Sequence, residues 1–418
     1  MAPRKAQAKV PAHTWAFKTR FRTGAYSWRG SDLAAKRLKE AVSEIKKVAK
    51  TEPVVAAEGV VSLFARIWPA FQDIDTSSGR LGGAVSRTVS SLIPILIDAP
   101  APPDLREKWL EHLFQAVMDD GVQYIFEVEE RWGEIAVYPE LMNKYADSML
   151  ILLKRAWSDD HAGGYVNGSS ICLSCLLEVG RYDDLFEILA LRKWRHWGDQ
   201  RYAAEALVRQ GRIDSAVAFA EGCRDQAGNY NFLISGFCER VLIAAGRADE
   251  AYDRYAMRST VGSTYISTYK TIAERYPGRE RRRILQDLIT AHGGRGKWFA
   301  AAKDSGFLDI AIECADDAEP TTLARAARDF ASENPQFAMA IALTALQGLV
   351  IGRGYDPTVA DLGMAFDALM VAAENLGCTP LAIEQAGRIA GLPAGQGRDF
   401  MVAALLQKCG GSRGGCMP

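Results

Sequence analysis

Gly180-Arg181-Tyr182-Asp183, Gly211-Arg212-Ile213-Asp214 and Gly246-Arg247-Ala248-Asp249 decide the reading of this chain. Each phrase follows one apolar helical run and precedes another, and Gly306-Phe307-Leu308-Asp309 is a weaker fourth copy. The first three stand 31 and 35 residues apart. The 60 residues to the fourth make room for two units, with Pro277-Gly278 near the expected intermediate turn. A period of that length marks paired helices that bury their apolar faces by stacking on their neighbours. Glycine suits the left-handed residue that closes a helix, and Asp three positions on is expected to cap the next one. A small residue five after the glycine (Ala216, Ala251 and Ala311, with Leu185 the exception) lets the two helices approach closely.

These turns resemble the Gly-x-x-x-x-Ala turn of the tetratricopeptide superfamily over roughly residues 165 to 320. The aromatic and proline signposts of the full motif are mostly missing. The resemblance therefore implies helical-hairpin architecture and a habit of binding partners, and it carries over no binding residues. The phrases from Lys39 to Val48 and from Gly296 to Lys303 also resemble bacterial proteins, without adding a mechanism.

Outward from the repeats, the segment after Pro320 reads as long apolar helices. Asn334-Pro335, Asp356-Pro357 and Thr379-Pro380 each place an N-cap residue before a proline at the first helical position, and Gly352 and Gly377 stop the preceding helices. Toward the N-terminus, Ser31 is the expected cap of an amphipathic helix with Ala34, Leu38, Ala41, Ile45 and Val48 on one face. Pro53 opens a helix to Phe71 whose only charges are Glu58 and Arg66, which places it in the middle of its domain. The glycines of the segment from Ser158 to Ser170 mark the main internal boundary.

The predicted fold class is all-α: a helix-turn-helix repeat stack (α-solenoid) with an N-terminal helical domain. Its parts are a basic aromatic arm (1–30), the N-terminal helical domain (31–160), hairpin repeats (161–320), a C-terminal helical cap (321–405) and a flexible tail (406–418).

With 418 residues, 48% hydrophobic and 24% charged, the chain has the composition of a folded protein longer than one core usually serves. Eight cysteines at low density, mostly in helical stretches, point to a reducing cytoplasm rather than to a secreted disulfide scaffold. Lys9, His13, Lys18 and Arg20 interrupt the first apolar residues, so no secretory leader is read there. The charge-free run from Asn334 to Gly352 could cross a bilayer by length, yet its polar residues and many alanines predict a buried helix and no membrane association.

The formal charge of −1 hides an asymmetry. Residues 1 to 50 hold thirteen Lys or Arg against three Asp or Glu, a charge of +10, and the remainder carries −11. The first thirty residues contain seven Lys or Arg, no acid, and Trp15, Phe17, Phe21, Tyr26 and Trp28. Such an arm should meet something negative, either nucleic acid or the acidic body of its own chain, with docking favoured for the rings. Arg20, Arg22 and Arg29 are the arm's candidate phosphate contacts. The phrase Arg192-Lys193-Trp194-Arg195-His196-Trp197 and the run Arg281, Arg282 and Arg283 are the others, since cations neutralise phosphate while rings stack on bases. Read structurally, the same residues are core rings and surface ion pairs.

Metal and catalytic motifs are weaker. Cys172 and Cys175 have ligand spacing but no second pair, and they sit in an apolar helix, so they read as packing residues. Asp73-x-Asp75-x-Ser77 opens like a calcium loop, yet Ala84 stands where the closing Glu belongs. Glu127, Glu129, Glu130 and Glu134 crowd one helix and read as a solvated face. No phosphate-binding loop or nucleophile elbow appears, so no catalytic residue, cofactor, metal or small-molecule substrate is assigned. The leading expectation is a non-catalytic scaffold that binds a protein partner or itself as a homo-oligomer. Nucleic-acid binding through the arm and the 192–197 cluster is the alternative, and an enzyme with an unrecognised site is the third reading.

Overall fold

The computed structural model describes residues 13–158, 166–224, 231–259 and 262–411. Arg4, Lys5, Lys9, His161 and Cys416 lie outside the described residues, as does most of the expected tail. Every regular element among those described is helical. The chain forms two compact units, residues 1–234 and 235–418. The division thus falls inside the span read as repeats rather than at 158–170. The physical reason is that the helix after that segment packs back on what precedes it: Ser174 Oγ accepts from Gly133 N at 3.0 Å, and Cys172 Sγ donates to Ala146 O at 3.5 Å.

In the first unit, α1 (Ser31–Ala49), α2 (Pro53–Phe71), α3 (Arg80–Asp98) and α4 (Pro103–Asp119) pack together, with α2 in the middle. The apolar face of α2 is buried along its whole length, from Ala56 to Phe71. Both α2 and α3 have the length and hydropathy of membrane spans, but Leu63, Phe64, Ile67, Leu92, Ile93 and Leu96 are core residues here. Two short helices, α5 (Phe126–Glu130) and α6 (Trp132–Ala136), lead to α7 (Pro139–Ser158) and α8 (Ser169–Val179), and α8 packs on all three. The unit continues through α9 (Tyr182–Ala190), α10 (Trp197–Arg209) and α11 (Ile213–Glu221).

The helix Asn231–Ala244 crosses the division. In the second unit a short helix, Ala248–Ala251, runs through a π-helical turn, Tyr252–Ala256, and is followed by pairs that include Tyr265–Arg275 with Arg281–His292 and Phe299–Asp304 with Leu308–Ala315. Pro320–Phe330, Pro335–Val350 and Val359–Asn375 then form a three-helix group, and Thr379–Ala390 and Asp399–Gly411 close the unit. The charge-free run is the buried helix expected, with Phe337, Ile341, Ala345 and Leu349 in the core. The last helix reaches Gly411, so residues 406 to 411 extend it and are not tail.

The repeat glycines adopt the left-handed conformation that their spacing predicts: φ is 80° at Gly180, 73° at Gly211, 77° at Gly246 and 82° at Gly306. Each closes its helix with two bonds, as at Gly211, where Arg212 N reaches Leu207 O and Gly211 N reaches Val208 O, both at 2.9 Å. Gly377 is a further copy that sequence reading took only as a helix stop. Its φ is 67°, Cys378 N bonds Ala373 O at 2.9 Å, and Ala382 stands five residues on, fully buried. Ala216, Ala251 and Ala311 are likewise buried, and Leu185 takes the same place in the first turn.

The expected aspartate caps do not form. Arg181, Arg212, Arg247 and Phe307 occupy the N-cap positions without side-chain bonds, and each Asp already lies in the first helical turn. The turn is two residues tighter than the capping scheme assumed, so these carboxylates meet the helix N-terminus through its dipole and through ion pairs. Ser31 is likewise the first helical residue rather than the cap, because its hydroxyl is drawn to Asp75 O at 2.9 Å. Asn334 caps as expected, accepting from Phe337 N at 3.1 Å. At the next helix Thr358 replaces Asp356, forming a capping box with Asp361, and Thr379 is itself helical behind Cys378.

Candidate functional site

The arm is docked. Trp15, Phe17, Phe21 and Tyr26 are buried, whereas Trp28 is 66% exposed. The rings form a chain of tilted and edge contacts running from Trp15 through Phe17, Phe21 and Tyr26 to Phe71 of α2. Polar ties fix the backbone alongside. Glu44 accepts from Ala16 N at 2.7 Å and Phe17 N at 3.3 Å, and Gly24 N reaches Pro69 O at 3.1 Å. Asp75 N bonds Trp28 O at 2.9 Å, and the Asp75 carboxylate accepts from Ser77 N at 2.9 Å, which holds its pKa below the usual carboxylate range. The residues that open like a calcium loop therefore act as a turn and an arm clasp.

Docking uses part of the arm's charge. Arg20 pairs with Glu40, which Arg37 also contacts at 2.6 Å, and Arg22 Nε donates to Thr19 O at 3.0 Å. Arg29 is exposed and makes no ion pair among the described residues. In the second cluster, Arg192 pairs with the nearly buried Asp199 at 2.6 Å and lies 4.6 Å from the ring centre of Trp157. Trp197 is buried in α10, while Trp194 is 74% exposed and Lys193, Arg195 and His196 line the same exposed connection. In the third, Arg282 pairs with Asp309, and Arg283 with Asp287 at 3.0 Å. Arg281 is exposed and has no ion pair among the described residues. The three clusters thus keep some exposed cations and rings but spend several arginines on intramolecular carboxylates.

The glutamates are not the solvated face expected. Glu129 is 4% exposed, and burial, with Glu130 and Asp120 nearby, raises its carboxyl to about 7. Glu130 is also raised by burial, against the pull of Arg201 at 2.8 Å. Glu127 accepts from Ser90, and Glu134 pairs with Arg131 at 2.7 Å, so only these two serve surface contacts. A break at Arg131 turns the single helix read from sequence into α5 and α6 and sends the middle pair inward.

In the second unit the π-helical turn presents Tyr252, whose hydroxyl donates to Asp287 at 2.8 Å, and Arg279 covers its ring at 4.5 Å. Tyr276 lies edge-on to it at 5.0 Å and donates to Glu239 at 2.6 Å; Glu239 is 2% exposed and also pairs with Arg275. Burial and the adjacent carboxylates raise both phenols, which stay protonated donors. This network satisfies its own members and stands as a structural core of the repeats.

Cys172 and Cys175 are fully buried, and burial pushes the Cys172 thiol up to about 12 and Cys175 well above its usual value. Such thiols suit packing rather than ligation. Among the described residues no group of three or more His, Cys, Asp or Glu is placed to hold a metal. What sequence reading missed is a cleft between α1 and α3 edged by Lys36, Lys39, Arg80 and Arg87. Its signal was present as cations spaced three and seven apart on two separate helices, but no local pattern says which helices lie side by side.

No protein-family model and no curated protein matches the sequence. Among solved structures, a circular tandem repeat protein with novel repeat topology and enhanced subunit contact surfaces aligns over 92% of this chain and 86% of that one, at 14% identity and a TM-score of 0.17.

Proposed function

We propose that the protein is a non-catalytic helical-repeat interaction protein that holds a protein partner or a second copy of itself. One observation carries this reading: the same glycine-closed turn recurs at Gly180, Gly211, Gly246, Gly306 and Gly377, each joining two helices over a buried small or aliphatic residue. Repetition of one hairpin unit builds extended surface from local contacts, which is the property interaction scaffolds use. Apolar side chains left outside on the later helices, Leu381, Phe400 and Leu406 among them, are the kind of contact such a surface offers. Nucleic-acid binding through the arm and the 192–197 cluster has narrower support, because Arg20 and Arg192 already hold carboxylates.

The test is recovery of the tagged protein from its native host with and without nuclease, together with the mass of the purified protein by light scattering. A nuclease-resistant protein partner in stoichiometric amount, or a dimeric mass, is the expected result. A monomer accompanied only by nuclease-sensitive nucleic acid overturns the proposal.

A further inference from the structure

The cleft between α1 and α3 has a volume of about 840 Å³, within the range of small-ligand sites. Asp32, Lys36, Lys39 and Ser43 line it from α1, and Arg80, Ala84, Arg87, Thr88 and Ser91 from α3. On α1 these positions recur every three or four residues, on α3 they do so apart from the adjacent Arg87 and Thr88, and both sets run over eleven residue steps, so each side is a single stripe about 16 Å long. The two stripes face each other across a floor that includes Leu38 and Val42.

Charge in the cleft is one-sided. Four cations stand against one carboxylate, and that carboxylate, Asp32, is already paired with Arg80 at 2.7 Å. Lys36, Lys39 and Arg87 have no ion pair among the described residues, although the chain from residue 51 onward carries −11 and supplies carboxylates to many other arginines, Arg131, Arg181 and Arg247 among them. Three cations outside any ion pair around one trench, with the Glu40 carboxylate near Lys36 the charge set against them on α1, raise the local concentration of anions and favour a ligand with more than one negative charge within a few ångströms. Linked phosphates meet that condition, offering several acceptor oxygens to ammonium and guanidinium donors at once. A peptide carboxylate brings a single charge per residue.

We propose that this cleft binds phosphate-bearing ligands, with Lys36, Lys39 and Arg87 as the contacting cations and Arg80 joining them when it releases Asp32. The phosphates come either from a free oligophosphate or nucleotide or from the backbone of a nucleic-acid strand. The cleft uses residues outside the arm and the 192–197 cluster, and it does not depend on what the repeats hold, so its failure leaves the scaffold proposal standing.

The experiment titrates the full chain at low salt with tripolyphosphate by calorimetry and with a labelled short oligothymidylate by fluorescence anisotropy; polyglutamate is the comparison anion. Lys36→Ala and Arg87→Ala are each expected to weaken phosphate binding about tenfold or more, the scale of a charged hydrogen bond. Lys46→Ala with Lys47→Ala, on the same helix outside the cleft, should leave it unchanged. All of these side chains are at the surface, and equal melting temperatures confirm folding. Binding of tripolyphosphate alone assigns a free ligand, and binding of the oligonucleotide, with or without tripolyphosphate, assigns a strand; both support the site if they depend on Lys36 and Arg87. No binding of either phosphate, equal loss in the control variant, or polyglutamate binding as tightly as the phosphates overturns it.

Discussion

The indole of Trp15 lies on the backbone of Gly59: a methyl group placed on that glycine would stand 2.7 and 2.8 Å from Cη2 and Cε2 of the ring. No side chain fits there, so the middle of α2 carries a glycine that helix propensity disfavours by about 1 kcal/mol relative to alanine. Packing of the arm offsets that cost. Gly59→Val should expel the indole and lower stability, and Trp15→Ala should cost about 3 to 5 kcal/mol, as other large-to-small core changes do. Deletion of residues 1 to 30 should lower the melting temperature in the same way. An unchanged denaturation midpoint in all three would mean that the ring is not packed on α2.

The turn glycines make a second prediction with a different physical origin. Nothing lies within 4 Å of a methyl group placed on Gly211 or Gly246, so a substitution there meets backbone strain and no clash. Gly211→Val and Gly246→Val should each cost about 1 to 2 kcal/mol. Equal urea midpoints for the variants and the parent would remove the register of the repeats.

Buried Glu129 gives the fold a pH dependence. Its carboxyl ionises near the ordinary glutamate value of 4.5 when unfolded and at about 7 when folded, so between those values the native state holds the extra proton. Stability should therefore fall as pH rises from 4.5 to 7, by about 3 kcal/mol for a shift of that size, and then level off. Glu129→Gln should flatten that slope and raise stability above pH 7. Parallel stability curves for the two proteins across this window would count against the buried ionisation.

Arg106 is 1% exposed and donates to three carbonyls, Leu96 O at 2.7 Å, Ile135 O at 2.8 Å and Ala99 O at 2.5 Å, with no ion pair among the described residues. It joins the end of α3 to the end of α6 through one planar fork. Arg106→Lys keeps the charge but cannot span the three acceptors, so it should cost about 3 kcal/mol, close to the cost of Arg106→Met. A lysine variant as stable as the parent would show that charge alone is enough at this position.

The sequence by itself determined the helices and the repeat turns, because those depend on neighbours in the chain. A glycine that tolerates positive φ, an Asn before a proline, and apolar residues three and four apart act within one or two helical turns. Thus α2 from Pro53 to Phe71, the cap at Asn334, and the turns at Gly180, Gly211, Gly246 and Gly306 were legible. Even there the two-residue tightening of the turn, which took Asp183 and Asp214 out of the cap position, was set by backbone bonds the sequence does not display.

Only the tertiary structure decided what these helices place together. Gly59 reads as an ordinary interruption until Trp15, 44 positions earlier, is laid on it. Glu129 reads as one of four surface glutamates until α8 packs against α5, and the basic arm reads as either docked or bound to an outside anion until its rings are found in the core. The cations of α1 and α3 become one cleft because two helices separated by α2 lie side by side. Lateral contact between elements is a long-range choice made by the fit of whole faces, and no short spacing encodes it.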